Sequence, residues 1–132
     1  TNPQGDGSII IIVATDAPLL PNQCKRLAQR ATVGLARVGG NGDNGSGDLF
    51  LAFSTGNRGM ESESTREPAP VKWFRNNAIS DLFEATVDAT QEAILNALCM
   101  ATTTTGIEGR TSHAIPLDRL QEVMQKYGRL HR

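Results

Sequence analysis

The chain has 132 residues and a formal net charge of −1, from 13 Lys+Arg against 14 Asp+Glu. That length holds a single domain, and balanced charge without a basic patch excludes the electrostatic footprint of a nucleic-acid binder. The longest apolar run, residues 9–14, is far short of the ~20 residues of a membrane span. No membrane partner is expected. No basic-then-apolar leader is visible at the start, so a cytoplasmic location is expected. Cys24 and Cys99 stand 75 positions apart. They lack metal-ligand spacing and are expected as free, buried thiols.

Residues 1–7 (Thr-Asn-Pro-Gln-Gly-Asp-Gly) read as a loop, because Pro3, Gly5, Asp6 and Gly7 all break regular structure. Ser8-Ile-Ile-Ile-Ile-Val-Ala follows at once. An unalternating β-branched run predicts a central strand buried on both faces. Pro21 suits the first turn of a helix. Cys24, Leu27, Ala28, Ala31, Leu35 and Val38 then recur at helical spacing, with Lys25, Arg26, Gln29 and Arg30 on the opposite side. Gly39-Gly40 supplies the stop.

A glycine-rich loop over residues 39–47 leads into a second strand over residues 48–55. There Leu49, Leu51 and Phe53 alternate with Asp48, Phe50 and Ala52. Residues 56–70 read as a long exposed loop, and residues 71–74 as a short third strand. Asn77 or Ser80 is expected to cap a long helix reaching about Ala101. Its apolar face includes Ile79, Leu82, Phe83, Val87, Ile94 and Leu98. Thr102–Thr105, Gly106 and Gly109 end it, and a short polar crossing leads to His113. Pro116 opens a last helix with Leu120, Val123, Met124 and Tyr127 on one side, closed by Gly128.

Three strands are too few to cover residues 9–13 on both faces. The chain therefore reads as an α/β portion of a larger core, needing a second chain or a preceding half.

Chemistry concentrates at two places. Gly7-Ser8 stands at the threshold of the first strand. It is either a strand-entry serine after a glycine turn, which is the commoner meaning of the dipeptide, or a self-cleavage site. In the second reading Ser8 attacks the Gly7 carbonyl, and glycine suits that position because it has no Cβ to obstruct approach. The released α-amino group, with an ordinary pKa near ~7.7–8.0, then becomes a base beside its own hydroxyl.

Asn44-Gly-Ser-Gly-Asp48 is the other place. No Lys-Ser/Thr follows it and no Gly-x-Gly-x-x-Gly precedes a helix, so it is not a nucleotide loop. It is either a turn-rich loop or a site where the Ser46 hydroxyl and the Asp48 carboxylate orient a proton. His113 reads as structural and His131 as terminal. Glu61, Glu63, Glu67 and Glu84 read as a solvated surface.

Gly7-Ser-Ile-Ile-Ile-Ile-Val-Ala-Thr-Asp-Ala-Pro-Leu-Leu-Pro21, together with Asn44-Gly-Ser-Gly-Asp-Leu-Phe-Leu-Ala-Phe-Ser-Thr55, resembles the DmpA-type L-aminopeptidase/D-esterase family. These are self-processing serine aminopeptidases that include β-peptidyl aminopeptidases. The helical register and Ala114-Ile-Pro116 also fit, so the resemblance covers nearly all of residues 5–128.

It implies that residues 1–7 are the tail of an N-terminal α-subunit and residues 8–132 belong to the β-subunit. It further implies a four-layer α/β/β/α sandwich completed by that α-subunit, with cleavage at Gly7-Ser8 and Ser8 as nucleophile. Ser46 and Asp48 match positions that assist it. Some β-peptide-cleaving members carry glutamate where Asp48 stands, which gives a longer reach. The implied substrates are peptides, amides or esters with a removable N-terminal residue. No cofactor or metal is implied, and the assembly is an oligomer of αβ units. Serine in place of threonine at position 8 argues for hydrolysis over the acyl transfer of ornithine acetyltransferase-type relatives. A non-catalytic ligand-binding α/β subunit is the third reading.

Overall fold

A computed structural model describes residues 7–60 and 66–130. The loop expected over residues 1–6, the middle of the 56–70 loop with Glu61 and Glu63, and His131 lie outside the described residues. The chain forms two compact units, residues 1–91 and 92–132.

The first unit is built on a β-α-β arrangement. Strand β1 (Ile10–Thr15), helix α1 (Pro21–Arg37) and strand β2 (Leu49–Ser54) follow in order, and β1 pairs with β2 in parallel. Parallel neighbours need a crossover, and α1 supplies it. Pro21 sits in the first turn of α1 as the sequence predicts. Gln23 adds what the periodicity did not reveal. Its Oε1 accepts the Leu20 N–H at 3.1 Å, satisfying a donor at the helix start. Its Nε2 donates to the Phe74 carbonyl at 2.7 Å and to Asn76 Oδ1 at 3.0 Å. This buried amide therefore pins the segment before the next helix to α1. At the other end Gly39 takes φ +97°. Gly39 N–H donates to the Ala36 carbonyl and Gly40 N–H to the Leu35 carbonyl, the paired bonds of a left-handed helix stop.

The stripe on α1 is buried as expected at Cys24, Leu27, Ala28 and Ala31. Leu19, Cys24 and Leu27 form the core cluster, against which Val13, Ala52, Phe74 and Phe83 pack. Burial pushes the Cys24 thiol above its ordinary pKa. Cys99 departs from expectation and is exposed, because nothing described covers the last turns of α2.

Helix α2 (Ile79–Met100) begins after a short 3-10 turn at Asn76–Ala78. Ile79, Thr86, Val87 and Thr90 are its buried residues. Arg26 and Arg30 do not simply face water: both guanidiniums lie over the Phe83 ring, at 5.0 and 4.2 Å. Gly34 marks the closest approach of α1 to α2. A Cβ there would stand 2.6 Å from Thr90 Cβ and 2.7 Å from the Val87 carbonyl oxygen. Gly34→Ala is therefore expected to destabilise the protein by about 1–3 kcal/mol, as overpacking against backbone does. A lowered thermal midpoint checks this, and an unchanged midpoint contradicts it.

The third strand expected over residues 71–74 is not formed. Lys72 exchanges both backbone bonds with the Asn57 side-chain amide, at 2.8 and 2.9 Å, and Phe74 N–H donates to the Pro18 carbonyl. With their hydrogen bonds taken by a side chain and a loop, these residues join no ladder.

β1 is not buried on both faces within this chain. Exposure alternates along both strands. Ile11, Val13, Phe50 and Ala52 are half-buried. The opposite set is open: Ile10 is 70% exposed, Ile12 60%, Leu49 62% and Leu51 57%. Ile10 pairs with Leu49 and Ile12 with Leu51, so these four side chains share one face. The expectation that this strand needs more chain than is present agrees with that open face.

In the second unit the end of α2 leads to a small antiparallel hairpin, β3 (Thr104–Thr105) and β4 (Thr111–Ser112), where the sequence predicts only a crossing. Glu108 and Gly109 both take positive φ, and Arg110 N–H closes the turn on the Ile107 carbonyl. Helix α3 (Leu117–Lys126) follows Pro116 and ends at Gly128, as expected. His113, after β4, is exposed. No helix among the described residues is long and apolar enough to cross a membrane.

Candidate active site

Parallel pairing starts β1 and β2 at the same end of the sheet, since Ile10 faces Leu49. The residues just before each strand are thereby neighbours, although 39 positions separate them along the chain. Four hydrogen bonds gather there. Ile9 N–H donates to Asp48 Oδ1 at 3.1 Å. Ser46 Oγ lies 2.6 Å from Asp48 Oδ1 and 2.9 Å from the Gly7 carbonyl oxygen. Gly47 N–H donates to Ser8 Oγ at 2.9 Å. Gly7 and Ser8 are exposed, while Ser46 and Asp48 are half-buried.

The local chemistry follows from these contacts. The Gly47 amide holds Ser8 Oγ in place and favours negative charge on that oxygen. Ser46 carries one hydroxyl proton and has two acceptors within reach. Donated to the Gly7 carbonyl, that proton polarises the bond preceding Ser8. Donated to Asp48, it ties Ser46 to the same carboxylate that holds Ile9, the residue after Ser8. One carboxylate thus steadies both sides of the arrangement. Residues 39–43 help to wall a cavity of about 290 Å³ that Ser8 also lines, near the lower end of the ~300–1,000 Å³ of small-ligand sites.

All four residues singled out in the sequence, Gly7, Ser8, Ser46 and Asp48, come together here. His113 and the glutamates described, Glu67 and Glu84, do not line the cavity. The Gly47 amide is the site group that sequence reasoning missed, because a backbone donor has no side-chain signature. Among the described residues no three His, Cys, Asp or Glu side chains gather as a metal site would require.

The chain that carries this arrangement belongs to a known class of peptidase. The model of Peptidase family S58 matches residues 1–112, and the chain is a member of that family. It is 48% identical over 126 residues to the beta-peptidyl aminopeptidase BapA of Sphingosinicella microcystinivorans, a match covering 96% of this chain and 32% of that protein. Among solved structures it resembles the PH0078 protein of Pyrococcus horikoshii OT3, with TM-score 0.85 and 47% identity over 93% of this chain and 34% of that one. It also resembles the L-aminopeptidase D-Ala-esterase/amidase of Ochrobactrum anthropi, described as a prototype of the serine aminopeptidases and a variant of the Ntn hydrolase fold. That match has TM-score 0.83 and 41% identity, and covers 94% of this chain and 35% of that one. The chain spans about a third of the length of these relatives.

Proposed function

We propose that this chain is the nucleophile-bearing part of a self-processing serine aminopeptidase. The observation that carries the reading is the meeting of Gly7-Ser8 with Ser46 and Asp48 at the head of a parallel strand pair. Family membership supports it.

In processing, Ser8 Oγ attacks the Gly7 carbonyl carbon. The tetrahedral adduct collapses with cleavage of the Gly7–Ser8 C–N bond, and the nitrogen leaves carrying a proton. Gly7 is now esterified to Ser8 Oγ. Water hydrolyses that ester, giving a Gly7 carboxylate and a free Ser8 hydroxyl and amine.

In turnover, the Ser8 amine takes the proton from Ser8 Oγ as that oxygen attacks the substrate carbonyl, then passes it to the leaving amine or alcohol. Water releases the acyl group from Ser8 in a second step. Ser46 and Asp48 orient the reacting groups throughout.

Residues 1–7 are then the tail of an N-terminal α-part, and residues 8–132 belong to the β-subunit. The open face of Ile10, Ile12, Leu49 and Leu51 is where the rest of a four-layer α/β/β/α sandwich packs. That much contiguous apolar surface on a small chain calls for a partner, and the length of the relatives leaves two thirds of a protein to supply it. The substrates are peptides, amides or esters with a removable N-terminal residue, and the assembly is an oligomer of αβ units.

Acid quenching during ester turnover, followed by peptide mapping, tests the reading. The acyl group is expected on the peptide beginning at Ser8. An acyl group on any other residue rejects it.

A further inference from the structure

The sequence contains two Asn-Gly pairs, Asn41-Gly42 and Asn44-Gly45, and both lie in the loop between α1 and β2. All four residues are exposed. The two pairs are held differently. Ser46 N–H donates to the Asp43 carbonyl at 2.8 Å, so Asn44 and Gly45 are the central residues of a closed turn. No such bond spans Asn41-Gly42 among the described residues. Upstream the chain is tied at Gly40, whose N–H donates to the Leu35 carbonyl, and downstream at Asp43. Asn41 and Gly42 link those two anchors. Among the described residues neither the Asn41 side chain nor the Gly42 amide has a hydrogen-bond partner. A Cβ built on Gly42 would meet nothing within 4 Å.

An asparagine side chain readily captures the backbone nitrogen of a following glycine, because glycine has no Cβ to shield it. The Gly42 nitrogen gives up its proton and attacks Asn41 Cγ. The bond from Cγ to Nδ2 breaks, ammonia leaves, and a succinimide ring remains. Water then opens the ring at one of its two carbonyls. Cleavage of the new bond gives aspartate. Cleavage of the original peptide bond gives isoaspartate, whose chain runs through Cγ. Water is consumed and ammonia released, with nothing oxidised or reduced. Ring closure needs rotation about the Asn41 Cα–C bond, which a closed turn resists and an unbonded link allows.

We propose that Asn41 is a spontaneous deamidation site, reacting ahead of Asn44, and that its isoaspartyl product impairs the candidate active site. The added backbone carbon falls between Gly40 and the turn that carries Ser46, and Ser46 bonds both Asp48 and the Gly7 carbonyl. It also puts a new carboxylate in the wall of the cavity that Ser8 lines. Reacting groups tolerate little displacement, and a shift of about 1 Å can cost ~10²-fold in rate. The reaction at Asn41 stands whether or not Ser8 is the nucleophile, whereas its effect on turnover rests on that reading.

The full-length protein carrying this chain is incubated at mildly alkaline pH in heavy-oxygen water, both native and in urea, and mapped by peptide mass analysis. Solvent oxygen marks every residue that passed through a succinimide. In the native protein Asn41 is expected to react about fivefold faster than Asn44, the ratio to which one net hydrogen bond corresponds. In urea the two rates should converge. In the native sample kcat should fall in step with the isoaspartyl fraction at position 41. Asn41→Gln should keep its own starting kcat through the same incubation, because glutamine would have to close a larger ring.

Equal native rates, Asn44 ahead, or no label at position 41 overturn the assignment. A ratio that persists in urea belongs to local sequence and overturns the structural argument. Labelling at Asn41 with kcat unchanged, or an equal loss of kcat in Asn41→Gln, overturns the effect on the site. Acid quenching of the fresh sample during ester turnover separates the two levels of inference. An acyl group on Ser8 with kcat then indifferent to Asn41 removes only that effect. No acyl group on Ser8 removes the functional reading and leaves the reactivity of Asn41 in place.

Discussion

Ser8→Ala is expected to leave the precursor uncut and to lower turnover by ~10⁶-fold, the scale on which removing a serine nucleophile acts in other hydrolases. Two losses coincide in this one substitution. The hydroxyl that attacks is gone, and without cleavage no free amine arises at position 8 to accept its proton. Packing is not the cause, because Ser8 is exposed and its Oγ contact is a single bond from the Gly47 amide. The variant should therefore fold with wild-type stability while showing one uncut band on a gel. Ser8→Thr keeps a hydroxyl at the same place and should still process, more slowly. A cut Ser8→Ala chain, or one that turns over substrate, contradicts the mechanism.

Asp48→Asn is expected to reduce kcat by about 10²-fold or more, on the scale of groups that orient or move protons in the transition state. The substitution is nearly isosteric, so the bond from the Ile9 amide can persist through the remaining carbonyl oxygen. What goes is the negative charge that draws the Ser46 proton at 2.6 Å. The amide group cannot hold that hydroxyl in the same orientation with the same strength. Processing should slow together with turnover, because both use Ser8 against a carbonyl beside Ser46. Stability should change little, which separates this effect from a structural one. Steady-state kinetics alongside a thermal melt make the check. Wild-type kcat in Asp48→Asn would remove Asp48 from the machinery.

The parts of the fold legible in the sequence are those where one residue type has one physical use. Pro21 marks the start of α1, Gly39-Gly40 its end, and Gly128 the end of α3. The β-branched run marks β1. Its apolarity on both faces also announced chain beyond this one, and the open Ile10, Ile12, Leu49 and Leu51 agree.

Elements set by pairing geometry were not legible. β3 and β4 are two residues each, too short for any alternation. Their turn uses Glu108-Gly109, outside the common asparagine–glycine signal. Residues 71–74 had strand-forming side chains, yet Asn57 and Pro18 took their backbone bonds. Gln23 looked like a polar helix residue and is buried with every polar atom bonded.

At the site, Ser8 and the Ser46–Asp48 pair were each noticed for their own chemistry. Spacing alone could not join them across 39 positions. The parallel register of β1 and β2 does that, and the family resemblance anticipated it.

The central claim is that Ser8 is released from Gly7 and then serves as the nucleophile. Intact mass and N-terminal sequencing of the natively expressed full-length protein test it most directly. The account predicts two polypeptides, one beginning at Ser8 and the other ending in Gly7. A single polypeptide running uncut through the Gly7-Ser8 bond in an active preparation would contradict it.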